Sequence, residues 1–150
     1  MNTITLDEIK AEQTKLAKMI ATFEAQARES IHFPEQLIEL APGEHYAGII
    51  VGKDGEASYH LILLPGEGDD LDWNAAKDWA KEIGGELPTR REQSLLYANL
   101  KEHFQGFYYW SGEQHENKAY AWCQVFGTGY QTITITHVEL QARAVRRISI

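Results

Sequence analysis

Cysteine is nearly missing from this chain. Cys123 stands alone among 150 residues, which excludes an intrachain disulfide framework and a cysteine-rich zinc knuckle. No stretch approaches a run of about 18 apolar residues, so no membrane span is expected. Residues 1–10 lack a basic segment followed by an apolar core, so no Sec-type signal is read there. The expectation is synthesis in the cytoplasm, with residence there or in a virion. Positive charge is also short: Lys and Arg number 14 against 22 Asp and Glu, a net charge of −8. That balance weighs against a nucleic-acid phosphate binder.

Catalytic signatures are missing too. The six histidines, His32, His45, His60, His103, His115 and His137, form no HExxH pair. Gly127-Thr128-Gly129 lacks the spacing of a phosphate cradle and reads as a loop between strands. Ser94, Ser111 and Ser149 have no nucleophile-elbow context. Glu67, Asp69, Asp70 and Asp72 resemble a calcium loop in charge but not in ligand order, and read as a solvated turn. No enzyme, cofactor or metal site is therefore expected.

What is present begins with a helix. Thr5 and Glu8 have capping-box spacing, and neither Pro nor Gly interrupts the chain to about residue 30. Leu6, Ile9, Gln13, Leu16, Ile20, Phe23, Ala27 and Ser30 follow alternating steps of three and four, an a/d seam. Such a stripe must be covered, by the chain's own domain or by another copy. Self-association as a dimer or trimer is the expectation, with Leu6, Ile9, Gln13, Leu16, Ile20 and Phe23 as its contacts. Residues 1–30 thus form one segment and residues 31–150 a globular domain.

Within the domain, Leu37–Leu40, Tyr46–Val51 and Ala57–Leu64 read as strands, with a hairpin turn at Lys53-Asp54-Gly55. Residues 65–70 read as a loop. Asp72 caps a helix over 73–83 whose apolar face is Trp73, Ala76, Ala80 and Ile83, ended by Gly84-Gly85. Thr89 and Glu92 repeat the capping box before a second helix, to about His103, that turns Leu95, Leu96, Leu100 and Phe104 inward. Strands follow over 107–110, 118–126, 130–136 and 143–150. Arg146 and Arg147 point to opposite faces of the last one, suited to ion pairing. Two helices bracketed by strands predict an α+β domain with a mainly antiparallel sheet. Trp110, Trp122 and Phe126 are the expected aromatic core, and Tyr59 and Tyr97 core or half-buried residues.

A longer pattern spans Leu71 to Arg147. It runs Trp73…Ala76…Trp79-Ala80…Gly84-Gly85…Leu87-Pro88-Thr89-Arg90…Glu92, then Tyr109-Trp110-Ser111…Glu113, Ala121-Trp122…Phe126…Gly129 and Arg143-Ala144-Val145-Arg146. This resembles the Lcl C-terminal-like domain of phage and bacterial proteins. That family is similar to the C-type-lectin fold and to the variable ligand-binding proteins of diversity-generating retroelements. The resemblance implies a C-type-lectin-like domain with paired terminal strands, a hinge at Leu87–Arg90, and scaffold roles for Trp110, Trp122, Arg143 and Arg146. It also implies a recognition module at phage tails or cell surfaces, in some members trimeric. The Glu-Pro-Asn and Trp-Asn-Asp motifs of sugar-binding lectins are absent, so calcium-dependent sugar binding is not implied. A single cysteine also excludes the chemistry of formylglycine-generating enzymes.

Polar and aromatic alternation in the second half, together with this resemblance, points to a binding face of Tyr108, His115, Asn117, Tyr120, Gln124, Tyr130, Gln131 and Thr132. The expected activity is non-enzymatic recognition of a protein or cell-surface receptor by an oligomer of phage or prophage origin. The alternative is an intracellular phage protein that inhibits or adapts a host complex.

Overall fold

The computed structural model describes residues 3–26 and 29–150. The chain divides into two units, Met1–Pro34 and Glu35–Ile150. In the first, helix α1 spans Leu6–Ala25. Its start follows from the capping box: the Glu8 N–H donates to Thr5 Oγ1 at 3.2 Å and the Thr5 N–H to Glu8 Oε2 at 2.8 Å. Its end comes earlier than the heptad pattern suggests. The last turn has no basic residue, and the Gln26 N–H closes back on Thr22 and Phe23. Ser30 lies outside the helix, and Ala27 falls outside the described residues. No residue of α1 is buried; Ile9 and Ile20 are about half exposed and Phe23 is 76% exposed.

The second unit is α+β, with mostly antiparallel sheets. Strands β1 (His45–Ile50) and β2 (Tyr59–Leu63) pair as a hairpin. Asp54 and Gly55 both have positive φ at its turn, the geometry that a two-residue hairpin turn demands. β3 (Gly68–Leu71), α2 (Trp73–Glu82) and α3 (Arg90–Leu100) follow, the last extended by a 3₁₀ turn over Lys101–His103. Then come β4 (Tyr108–Gln114), β5 (Tyr120–Val125), β6 (Gln131–Ile135), β7 (Leu140–Ala142) and β8 (Val145–Ser149). One sheet has the order β1-β2-β8 and the other β3-β7-β4-β5-β6, in which β4 and β7 run parallel.

Three expectations need correction. Leu37–Leu40 is not a strand; its backbone pairs with no neighbour and Leu37 is almost fully exposed. Side-chain bonds hold that segment instead, from Gln36 Nε2 to Ser149 O at 3.0 Å and from Arg146 Nη2 to Glu39 O at 3.0 Å. Residues 68–71 are a strand despite their loop composition, because β7 supplies a pairing partner. Gly68 is needed there: a Cβ would come within 2.7 Å of the Leu71 side chain and 3.1 Å of Trp79. Residues 140–142, to which the sequence assigned no element, form a strand, β7, and the last strand starts at Val145 rather than at 143.

Helix α2 places Trp73, Ala76 and Ala80 against Trp110, Ala121, Cys123, Ala142 and Ala144. Ile83, expected on that face, is its C-cap and is 40% exposed. Gly84 takes φ +89° beyond it, and the bonds Gly85 N–H to Ala80 O and Gly84 N–H to Lys81 O complete a Schellman end. Helix α3 packs Leu96 and Leu100 against Ala47, Leu61, Leu63, Tyr109, Phe126 and Val145. The core aromatics are thus Trp73, Trp110, Tyr109 and Phe126, the last three fully buried, whereas Trp122 is only half-buried. Tyr109 was not among the expected three; its hydroxyl is bonded to Glu67 and to the Gln105 N–H.

The arginines of β8 tie the layers together. Arg146 pairs with Glu44 on one side at 2.6 Å. Arg147 pairs on the other with Glu92 at 2.7 Å and Glu86 at 2.6 Å. Glu92 is fully buried and also accepts the Tyr59 hydroxyl at 2.7 Å and the Thr89 N–H at 2.8 Å. Burial raises its carboxyl, but the bonds from Arg147, Thr89 and Tyr59 outweigh it and hold the group below the usual carboxylate range. Burial and the bond to Glu92 push Tyr59 up to about 12.

Candidate functional site

Strand parity sorts β5 into two faces. Ala121 and Cys123 turn into the core beneath α2, and burial pushes the Cys123 thiol up to about 11. Tyr120, Trp122 and Gln124 turn to the other face. The regular β5–β6 register sets Gln131 opposite Gln124, Ile133 opposite Trp122 and Ile135 opposite Tyr120. The bonds Val125 N–H to Tyr130 O and Thr136 N–H to Ala119 O fix the phase of that ladder. By alternation these three are the non-hydrogen-bonded pairs, whose side chains approach closest.

Helix α3 covers the Gln124 end of this face. Buried Gln93 donates from Nε2 to the carbonyls of Tyr109 and Trp110, each at 3.2 Å, and Gln124 Nε2 donates to Gln93 O at 3.0 Å. Gln131 Nε2 continues the chain, donating to Gln124 Oε1 and to Arg90 O, each at 2.8 Å. Arg90 Nε returns a bond to Gln131 Oε1 at 3.2 Å. These bonds hold the Arg90 guanidinium 3.5 Å above the Trp122 ring, a cation–π contact.

The other end of the face carries His115, Tyr120, Trp122, Ile133 and Ile135. The Asn117 N–H donates to His115 Nδ1 at 3.1 Å, so the neutral ring carries its proton on Nε2. The same ring lies 5.8 Å from Trp122 and 6.4 Å from Tyr120. Ile135 is 47% exposed, and the other four are partly exposed. The result is a rigid aromatic and aliphatic surface with one stacked cation beside it. Among the described residues no carboxylate lies within ion-pair distance of the Arg90 guanidinium.

Of the residues expected at a binding face, the structure brings together His115, Tyr120 and Gln131. Gln124 lies beneath them with no exposed surface, so its amide is spent on internal bonds. Asn117 shapes the β4–β5 turn, where its Oδ1 accepts the Ala119 N–H at 3.1 Å. Tyr130 is well exposed just before β6. Thr132 faces the opposite side of the sheet, opposite Cys123. Tyr108 lines a separate groove of about 290 Å³ with Asp70, Phe107, Glu139, Leu140 and Gln141.

Sequence reasoning missed Arg90, Trp122, Ile133 and Ile135. Parity from Tyr120 and Gln131 would have found the last three. Arg90 had no such signal, because it arrives from another element. Among the described residues no three His, Cys, Asp or Glu side chains are placed to hold a metal ion, and no helix is long and apolar enough to cross a membrane. No protein-family model matches this chain, and no curated protein matches it either.

Proposed function

We propose that this chain is a non-enzymatic recognition module of phage or prophage origin, which binds a protein or cell-surface receptor. The observation that carries the reading is the sheet face of Tyr120, Trp122, Ile133 and Ile135, left uncovered beyond the N-terminal end of α3 and flanked by His115 and Arg90. Rigid aromatics with few rotatable bonds, beside an arginine already stacked in place, are the common anchors of protein interfaces. The motif pattern from Leu71 to Arg147 supports a C-type-lectin-like version of the α+β domain. The exposed stripe of α1 supports a homo-oligomer, which would multiply weak contacts into avidity.

The reading is tested with a photo-crosslinking amino acid placed at Ile135 in the full-length protein, and at Lys53 as control. Incubation with host envelope and lysate should give a discrete adduct at 135 and none at 53. The double variant Tyr120→Ala/Ile135→Ala should weaken binding of that adduct's partner by about 2 kcal/mol or more, with the melting temperature nearly unchanged. Identical adducts at both positions, or full affinity in the double variant, would reject this face.

A further inference from the structure

Four strands border the two sheets: β1 and β8 in one, β3 and β6 in the other. Open edges invite unwanted pairing, and proteins blunt them with bulges, charges or proline. Three of these edges are blunted. β1 breaks register between Tyr46 and Gly48. β3 breaks it between Gly68 and Leu71 and carries Asp69 and Asp70. β8 carries Arg146 and Arg147.

β6 is different. It reads Gln131-Thr132-Ile133-Thr134-Ile135, with no charge, no proline and an unbroken register. The β5 side takes the Tyr130 carbonyl, both backbone groups of Thr132 and Thr134, and the Thr136 N–H, while the Thr136 carbonyl accepts the Trp73 N–H at 3.0 Å; the backbone groups of Gln131, Ile133 and Ile135 point away from β5. The Ile135 carbonyl accepts the Val138 N–H at 3.1 Å. That leaves three outward N–H groups and the carbonyls of Gln131 and Ile133 directed away from β5. The same three residues project their side chains onto the Trp122 face.

We propose that β6 captures an extended segment of a partner protein as an added strand, with an acidic side chain of that segment set against Arg90. The inference rests on the recognition reading above and specifies how the partner is held. Charge complementarity selects the occupant. An added strand would lay alternate side chains beside Gln131, Ile133 and Ile135, next to a guanidinium that no carboxylate of the described chain engages. A second copy pairing antiparallel through its own β6 and centred on Ile133 would set Ile135 opposite Gln131, beside Arg90, and bring no carboxylate there. A foreign segment with one Asp or Glu among β-branched residues satisfies both the edge and the cation.

The test selects a random heptapeptide display library on the full-length protein, followed by synthesis of the enriched peptides. Enriched sequences should alternate apolar β-branched or aromatic residues and carry one acidic residue. Binding should slow amide exchange at Gln131, Ile133 and Ile135 but not at Thr132 or Thr134, which are already paired. Ile133→Pro removes an outward donor without touching a β5 bond and should weaken binding about tenfold. Should that variant fold poorly, N-methylation of alternate peptide residues removes the same bonds from the other side, with the same loss expected. Arg90→Met should weaken the acidic peptide and leave its Glu→Gln analogue unaffected.

Absence of enrichment, enriched peptides without an acidic residue, or unchanged amide exchange each overturn the proposal. Concentration-dependent protection of the same three amides in the peptide-free protein would assign the edge to a second copy and also overturn it. Peptides weakened by Tyr120→Ala but insensitive to Ile133→Pro and to N-methylation would remove the added strand and leave the recognition face standing.

Discussion

Glu92 joins three parts of the domain at one carboxylate. As the third residue of α3 it returns a bond to the cap at Thr89, as the Thr89–Glu92 spacing suggests. It also grips Arg147 of β8 with both oxygens, at 2.7 and 2.8 Å, and holds Tyr59 of β2. Only the first of these roles was legible, because it is local; Arg147 lies 55 residues away in sequence. Glu92→Ala would leave a guanidinium without its buried partner and is expected to cost about 3–5 kcal/mol. The urea unfolding midpoint measures that loss, and a change near zero would show that Glu86 alone satisfies Arg147. Gln124 has the same history: its place in an alternating strand suggested a contact residue, and only the arrival of Gln93 from α3 turns it into an internal one.

Helices α1, α2 and α3 were readable because their signals lie within a few residues of one another: the two capping boxes, the Asp72 cap and the Gly84-Gly85 stop. The hairpin turn at Asp54-Gly55 was readable for the same reason. Strands β3 and β7 were not, since each is short and becomes a strand only by pairing with the other across some seventy residues. For α1, the six seam residues from Leu6 to Phe23 all lie within the helix, and none of its residues is buried. Most helix stability in proteins comes from packing of the apolar face, and α1 packs none of its own. Light scattering of the full chain is therefore expected to report an oligomer, and Leu16→Glu/Ile20→Lys to reduce it to monomer with the domain still folded. A wild-type monomer at all concentrations would assign the stripe a different cover.

Acid should unfold the whole molecule through the carboxylates that the β8 arginines hold. The bond from Arg146 keeps Glu44 below the usual range, and Arg147 does the same for Glu92 against the cost of burial. In each case the folded group ionises more readily than the unfolded one. Its contribution is complete above the ordinary carboxylate value of about 4.3 and fades as pH falls through the lower folded value. The urea midpoint should therefore drop below about pH 4, and less steeply in Glu44→Gln/Glu92→Gln, which starts lower at neutral pH. An equal acid slope in both proteins would place the loss elsewhere.

The hydrogen bond from Gln36 to the Ser149 carbonyl spans 113 residues and clasps the entrance of the folded unit to its exit. Chain enters and leaves that unit at one place. Spliced into a surface loop of another protein, residues 35–150 would therefore need no long spacer at either junction.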